Sequence, residues 1–565
     1  MNTFKKKSLH AAVLAGLGAL GAAGTANAVH INPDGLGQVV IYPYYTVRNG
    51  NVTAMSIVNT TSLTKAVKVR FLEGKNSREV LDFNLFLSPT DVWTGVIISG
   101  STTATAVPFN ADGARLESGD NSCVTPSDLF GSAGSTVTAP VRLDGLGLPI
   151  NAFKNYQYTG GNVDNATLNT LDRTREGYME VIEMGVVTNT IITGFIKHNT
   201  AGIPANCAAL DAYDADLPPT GLAVPTTVGA AGKFPLHMTV PQGGLTGRAS
   251  VINSAVGANY TYDVTTLDGW WAPNPLIIPA PLPYSAAGIT TPSIAVSAIG
   301  AGIDLVSNVF VTGTPGVANS AGVVRATWAR TQDSVSSVFM RDSIINEFVT
   351  DAGTVSRTDW VITMPTKRDL IGVGVGTPSR PFSNNFANAT ATGACDAYSL
   401  GIFNREEGTT TTTPGVLLPS PRPGAVIAPG QVLCWEANVL EFGTSGLLGS
   451  TNNFRLQGAA DAFAVSGATT TGSTQASLGR RTVQGPNGWA SLGFGAALAV
   501  PAVGQSQQSI TPTSSSLNGG ALDVVPRTFF GLPVIGAMFH NYTNTGVASL
   551  YGGVIPHKYT RLIQP

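Results

Sequence analysis

The stretch "KAVKVRFLEGKNSREVLDFNLFL", residues 65–87, decides the class of fold. Val67, Val69 and Phe71 point one way, while Lys68 and Arg70 point the other. After the turn EGKNS (73–77), Leu81, Phe83, Leu85 and Leu87 alternate with Asp82 and Asn84. Successive side chains leave a strand on opposite sides, so this period of two marks strands with one face on a core and one toward water. The polar residues are therefore expected to be solvated. The same period runs through most of the chain, punctuated by turn signals such as RNGN (48–51) and SPTD (88–91), and helical periodicity is scarce.

Working upstream, "VHINPDGLGQVVIYPYYTVRNGN" (29–51) contains a strand of a different kind. Val39, Ile41 and Tyr45 fall on one face, and Val40, Tyr42 and Tyr44 on the other. A strand apolar on both sides needs two covers. Pro43 supplies no ladder donor, which suits an edge or a bulge. Asn49-Gly50 is the preferred type I′ pair and predicts a hairpin of residues 38–47 with 52–59. Two places for residues 39–45 stay open: a first strand buried in its own sandwich, or an assembly strand that completes the sheet of a neighbouring subunit.

Composition fixes the setting. Only 12% of the 565 residues are charged, against about 25% in an average globular protein. The net charge of −2 gives no concentrated basic patch for nucleic acid. Lys5, Lys6 and Lys7, the short apolar run AAVLAGLGALGAAG, and Ala26–Ala28 form the three parts of a secretory signal peptide, residues 1–28, cleaved after Ala28. Val29 follows the cut, where a lipoprotein would carry Cys. No later run is apolar enough for a membrane-spanning helix, and the four Cys and many Pro argue against a transmembrane barrel. The expected location is secreted, either periplasmic or at the cell surface and beyond. In that setting Cys123, Cys207, Cys395 and Cys434 read as two disulfides. Three pairings exist, and the local one, Cys123 with Cys207 and Cys395 with Cys434, is favoured. No C-x-x-C spacing supports a metal site.

The predicted organisation is all-β: a multi-domain antiparallel β-sandwich, immunoglobulin-like or jelly-roll-like, with long loops and few helices. Residues 29–200 form a first unit with a long insertion around Cys123, 201–234 a connecting loop, 235–378 a second unit and 379–565 a third. A weak repeat supports related units: SIVN (56–59), SVIN (250–253) and SIIN (343–346) share one shape, and SPTDVWTGVI from Ser88 echoes SRTDWVITMP from Ser356.

Chemistry-bearing motifs are sparse. There is no G-x-S-x-G, H-E-x-x-H or Walker A sequence. IGVGVG (371–376) is followed by TPSRPF rather than a helix, and reads as a connector. The five histidines after the leader share no metal spacing. Asp211, Asp214 and Asp216, and separately Asp112, Glu117 and Asp120, place hard oxygen ligands on turns, the chemistry a Ca²⁺ ion requires; ordinary polar loops are the alternative. No other cofactor is expected. Trp270 and Trp271, beside a Pro-rich segment, are candidates for a ligand platform on which sugars stack, or else cap a sandwich end. Glu180 and Glu183 fall on opposite faces of a strand and cannot act as one acid–base pair.

The stretches HINPDGLGQVVIYPYYTV, VKVRFLEGKNSREVLDFNL, TDWVITMPTKRDL, LCWEANVLEF and GGVIPHKYTR, spread from residue 30 to 561, resemble a group of exported, β-rich cell-surface proteins of Gram-negative bacteria. The resemblance implies secretion and a β-rich body; the group brings no established activity and no catalytic residues. The expected function is that of an exported structural or adhesive protein, with copies of itself or surface glycans as partners. A carbohydrate- or ligand-binding sandwich is the runner-up. An enzyme comes third, because triad members can be distant along a chain and assemble only in the fold.

Overall fold

The computed structural model describes residues 28–100, 113–130, 143–144, 149–215, 237–271, 282–296, 303–312, 321–371, 378–386, 393–404, 432–442, 446–456, 487–495, 508–544 and 549–564. Strands account for 48% and helices for 11%, an all-β protein of several antiparallel sheets packed as sandwiches.

One sheet organises the rest. Its strands are β1 (His30–Ile31), β2 (Val39–Thr46), β4 (Lys65–Glu73), β5 (Glu79–Leu87), β8 (Cys123–Thr125), β9 (Glu176–Val187) and β13 (Thr265–Asp268). They run in the order β1-β13-β2-β9-β4-β5-β8, and β10 (Met238–Thr239) pairs with β9. The β4–β5 hairpin forms as its alternation requires, with Val67 opposite Leu85 and Val69 opposite Phe83. On one face, Val40, Tyr44, Val69 and Val181 pack against Met55, Ile57, Trp93 and Val251 of a five-stranded sheet. That sheet runs β12 (Ala258–Asp263), β11 (Leu245–Asn253), β3 (Val52–Asn59), β6 (Val92–Ser99), β7 (Ala114–Glu117).

The opposite face of the organising sheet is covered as well. Val39, Ile41, Leu72, Tyr178 and Ile182 pack on a third layer. This layer comprises β14 (Val306–Thr312), β15 (Ala321–Thr327), the strand Ser514–Leu517 and the helix Thr331–Phe339. The organising sheet is thus the middle of three layers, and every residue of β2, β4 and β9 is buried. This corrects the expectation that Lys68 and Arg70 reach water: they are 0% and 5% exposed. Alternation separates the two faces of a strand but carries no information about what lies over the polar one. Here the segment 282–296 lies over it, with Lys68 Nζ donating to Ala286 O at 2.7 Å and Asn84 Nδ2 to Ser285 O at 2.9 Å.

A second sandwich abuts the first. The strands Ala437–Phe442, Arg357–Thr363, Ala537–Asn544 and Ser549–Pro556 face the strands Ser399–Asn404, Asn487–Gly493 and Ser343–Val349 across a core of Phe348, Trp360, Ile362, Leu440 and Leu492. The outer side of the first of these sheets joins the first core, where Phe539 meets Tyr260 and Tyr262 edge-on.

Three expectations are corrected by this arrangement. β2 is a central strand, flanked by β13 and β9 and covered on both faces by its own chain, so residues 39–45 are not offered to a neighbouring subunit. Pro43 sits at a register shift between Tyr42 and Tyr45, where no ladder donor is needed, and its carbonyl accepts from Thr363 Oγ1 at 2.6 Å. Next, Asn49 and Gly50 adopt the positive φ values of a type I′ turn, 55° and 75°, yet β2 and β3 enter different sheets. The turn forms an arch, held where Thr53 Oγ1 donates to Thr46 O at 2.9 Å, because both edges of β2 are already taken. Finally, sheets cross the boundaries drawn at 200, 234 and 378. β11 to β13 complete the two sheets begun by residues 30–187, and Leu517 pairs with Val324. A helix, Ala208–Ala215, lies in the predicted connecting loop. SIVN and SVIN occupy the adjacent strands β3 and β11 of one sheet rather than separate domains.

Cys123 is bonded to Cys207 and Cys395 to Cys434, closing loops of 84 and 39 residues. In the chain-entropy description each contributes about 4 to 5 kcal/mol by restricting the unfolded chain.

Two outcomes follow. A fragment of residues 29–200 lacks β11 and β13 and should show neither near-ultraviolet dichroism nor protease resistance; a cooperatively folded fragment would contradict the layer scheme. Phe71→Ala, in the first core, should cost about 3–5 kcal/mol in urea unfolding of the whole chain.

Candidate functional site

The polar face of the middle sheet carries an ionic seam. Arg70 donates to Glu79 at 2.7 Å and to Glu180 at 2.5 Å. At the tip of the β4–β5 hairpin, Glu73 accepts the backbone N–H groups of Lys75, Asn76 and Arg78 (2.7–2.9 Å) and the Arg173 guanidinium at 2.8 Å. Arg173 also grips both oxygens of Asp164, at 2.7 and 2.8 Å, and lies 4.3 Å from the centre of the Tyr158 ring. Farther along, Glu176 accepts from Arg48 Nε (2.9 Å), Tyr44 OH (2.8 Å), Ser450 Oγ (2.5 Å) and Thr451 N (2.8 Å). Burial alone would raise the Glu176 carboxyl, but Arg48, Lys75 and the hydroxyls of Ser450 and Thr451 outweigh it and bring the pKa to about 2.

Within the seam lies a cavity of about 170 Å³, bordered by Arg70, Glu79, Tyr178, Glu180, Ser293 and Asp369. Burial pushes Glu180 up to about 7, with Asp369 adding and Arg70 opposing; burial and Asp82 push Glu79 up to about 6. Raised carboxylates in a cleft fit acid–base chemistry. Organic ligands, however, occupy pockets of roughly 300–1,000 Å³, and this one has room for a few waters at about 30 Å³ each. Its geometry is that of a narrow polar junction between several segments of the chain.

Among the described residues, a wider concave surface lies on the outer face of the five-stranded sheet. β3 alternates half-buried and buried residues, the pattern of a sheet with one open face. Two hollows of about 690 Å³ each adjoin there and share Ser56 and Arg248. The first is the more apolar, with Ala54, Val96 and Ile98 facing outward and Phe130 at its edge; the second is polar, lined by Asn32, Asp34, Thr246, Asp263 and Thr265. The backbone of Gly95 borders the first, and on the core side the Trp93 ring fills the space a Cβ there would need, 2.4 Å away. The ion pairs Arg115–Glu117 (2.9 Å) and Arg248–Asp263 (3.0 Å) border the groove. It went unseen in the sequence because its lining comes from β3, β6, β7 and β11, whose outward residues form no motif; half-exposed alternation was its one signal.

The structure disperses the residues singled out earlier. Trp270 and Trp271 are 0% and 1% exposed, tilted against each other at 5.6 Å, and Trp270 Nε1 donates to Ile294 O at 2.8 Å. Buried rings cannot stack on a sugar, so the ligand-platform expectation is corrected: these indoles fill the core between the middle and third layers. Asp214 is a buried hub accepting from Asn84, Thr125, Tyr284 and the Ala287 N–H, while Asp211 takes the Ser127 N–H and hydroxyl. Both lie on the helix Ala208–Ala215 with their oxygens engaged by protein donors, an arrangement unlike a Ca²⁺ loop; Asp216 lies outside the described residues, as do Asp112 and 372–376 of IGVGVG. Glu117 instead pairs with Arg115, and Asp120 accepts from Thr94 N and Ser122. Glu180 and Glu183 serve different cations, Arg70 and Lys65. His557 is buried, its Nε2 2.9 Å from Val361 O, and burial lowers it to about 4.

Comparison with known proteins finds no matching family model, no matching curated protein and no matching solved structure.

The depressed pKa of Glu176 gives a signed prediction. Its stabilisation is complete above the ordinary value of 4.5 and is lost as pH falls toward 2, amounting to on the order of 3 kcal/mol. Glu176→Gln should therefore lower stability in guanidinium unfolding at pH 7 and weaken the acid dependence below pH 5; an unchanged acid slope would contradict the assignment.

Proposed function

We propose that the chain is an exported structural or adhesive protein of the cell surface or extracellular space, a rigid body that associates with further copies or with surface components. The observation that supports this most is where the charges are spent. In a chain with so few ionic groups, Arg48, Lys65, Arg70, Arg173, Glu73, Glu176 and Glu180 are all buried and tie one segment to another. Groups fixed in mutual pairs hold shape; they are not poised to meet a substrate. The two disulfides fit an oxidising compartment. Among the described residues no helix is long and apolar enough to cross a membrane.

A second reading, binding of a carbohydrate or other hydroxylated ligand, is favoured by the polar hollow. Asn32, Asp34, Thr246, Asp263 and Thr265 present donors and acceptors along its walls.

Electron microscopy of cells with and without the protein, together with the native mass of the secreted chain, separates these. The structural reading expects an altered surface and species heavier than a monomer. Identical surfaces with a strictly monomeric protein would overturn it. Glycan binding lost on Asp263→Ala would favour the second reading.

A further inference from the structure

The loop 518–528, which follows the strand Ser514–Leu517, holds three aliphatic side chains in water. Leu522 is 70%, Val524 100% and Val525 60% exposed. Hydrogen bonds fix its shape. Asp523 N donates to Ser515 O at 2.8 Å, Ser515 Oγ donates to Asp523 Oδ2 at 2.6 Å, and Arg527 N donates to Ser515 Oγ at 2.9 Å. Arg527 Nε closes an ion pair with Asp523 at 3.0 Å. At the root, Asn518 N donates to Val323 O at 2.8 Å, and Asn518 Oδ1 accepts from Val323 N at 2.9 Å. A loop held this firmly around an apolar tip presents surface whose removal from water would drive association.

The apolar half of the groove is its counterpart. The loop springs from the third layer, whereas the groove is the outer face of the first, with the middle sheet between them. One molecule therefore carries the convex and the concave element on different outer layers, and a second copy can receive what the first offers. We propose that the Leu522–Val525 loop of one copy seats in the hollow where Ala54, Val96 and Ile98 of the next face outward, with Phe130 at its edge, joining copies head to tail. The inference rests on the self-associating reading given above and names its contact.

Charge fits this occupant. Asp523 and Arg527 neutralise each other at the base of the loop, and Arg115–Glu117 and Arg248–Asp263 do so around the groove, so docking buries no uncompensated charge. The loop suits a lipid surface less well. It has no Trp or Tyr, and its single basic residue is already paired, whereas a headgroup boundary is held by aromatic and unpaired basic side chains. A contact between two different surfaces does not close on itself and generates chains unless the rotation happens to form a ring.

The test uses the full exported chain and two variants, Val524→Asp in the loop and Val96→Asp in the groove. Ser250→Trp, which fills the same hollow, stands in should Val96→Asp fail to fold. Sedimentation velocity over a range of concentration should show growing chains or rings for the unaltered protein and association at least about tenfold weaker for either variant. An equimolar mixture of the two variants keeps one intact loop and one intact groove for each pair, and should give 1:1 dimers that grow no further. Assembly undiminished in both variants would overturn this contact while leaving self-association standing. A monomeric unaltered protein would overturn both, as would a mixture without dimers for the contact. Binding to phosphatidylethanolamine–phosphatidylglycerol vesicles that is lost in Val524→Asp alone would reassign the loop to a membrane surface.

Discussion

A sheet covered on both faces has nowhere to place its charged side chains except against one another. That constraint governs this protein. Desolvating an ion costs several kcal/mol, and the cost is recovered only when a partner and further hydrogen bonds meet it in good geometry. Arg173 meets both oxygens of Asp164 and both of Glu73, and Glu73 in turn accepts three backbone N–H groups. Each such knot fixes register as well as energy, since a strand slipped by one residue would leave every member unpaired.

The same knots join segments far apart in the chain. Glu176 on β9 takes hydroxyls from Ser450 and Thr451, Lys75 at the hairpin tip donates to Asn452, and Thr363 donates to Pro43 O. They bind the three-layer body to the second sandwich, while the two cystines each brace one of these bodies internally. They also account for the sparse surface charge: a chain only 12% charged that hides so many ionic groups leaves little to keep copies apart.

How far the sequence disclosed this can be judged residue by residue. Val67, Val69 and Phe71 announced a strand and its core face, and the Cys spacing favoured the local pairing that is present. Lys68 and Arg70 misled, because alternation describes a strand and is silent about the segment 282–296 that covers them. Asn49-Gly50 gave the right turn and the wrong connection, since a type I′ turn sets local chain reversal while the edges of β2 were already claimed by β13 and β9. Trp270 and Trp271 looked like a surface platform because Pro-rich neighbours suggest exposure; the core beneath them is built partly by residues far later in the chain, such as Phe529 and Ile535. The groove left only the alternation of its strands as a trace, being assembled from one outward residue at a time on separate strands.

The most direct measurement of the central claim compares two arginines in guanidinium unfolding. Arg173 is buried in the seam, whereas Arg248 pairs with Asp263 in the open, at side-chain exposures of 66% and 76%. Arg173→Ala should cost about 3–5 kcal/mol, the penalty for orphaning buried carboxylates, and Arg248→Ala no more than about 1 kcal/mol. Equal and small losses at the two positions would contradict the account, for they would mean that the polar face of the middle sheet is open to water.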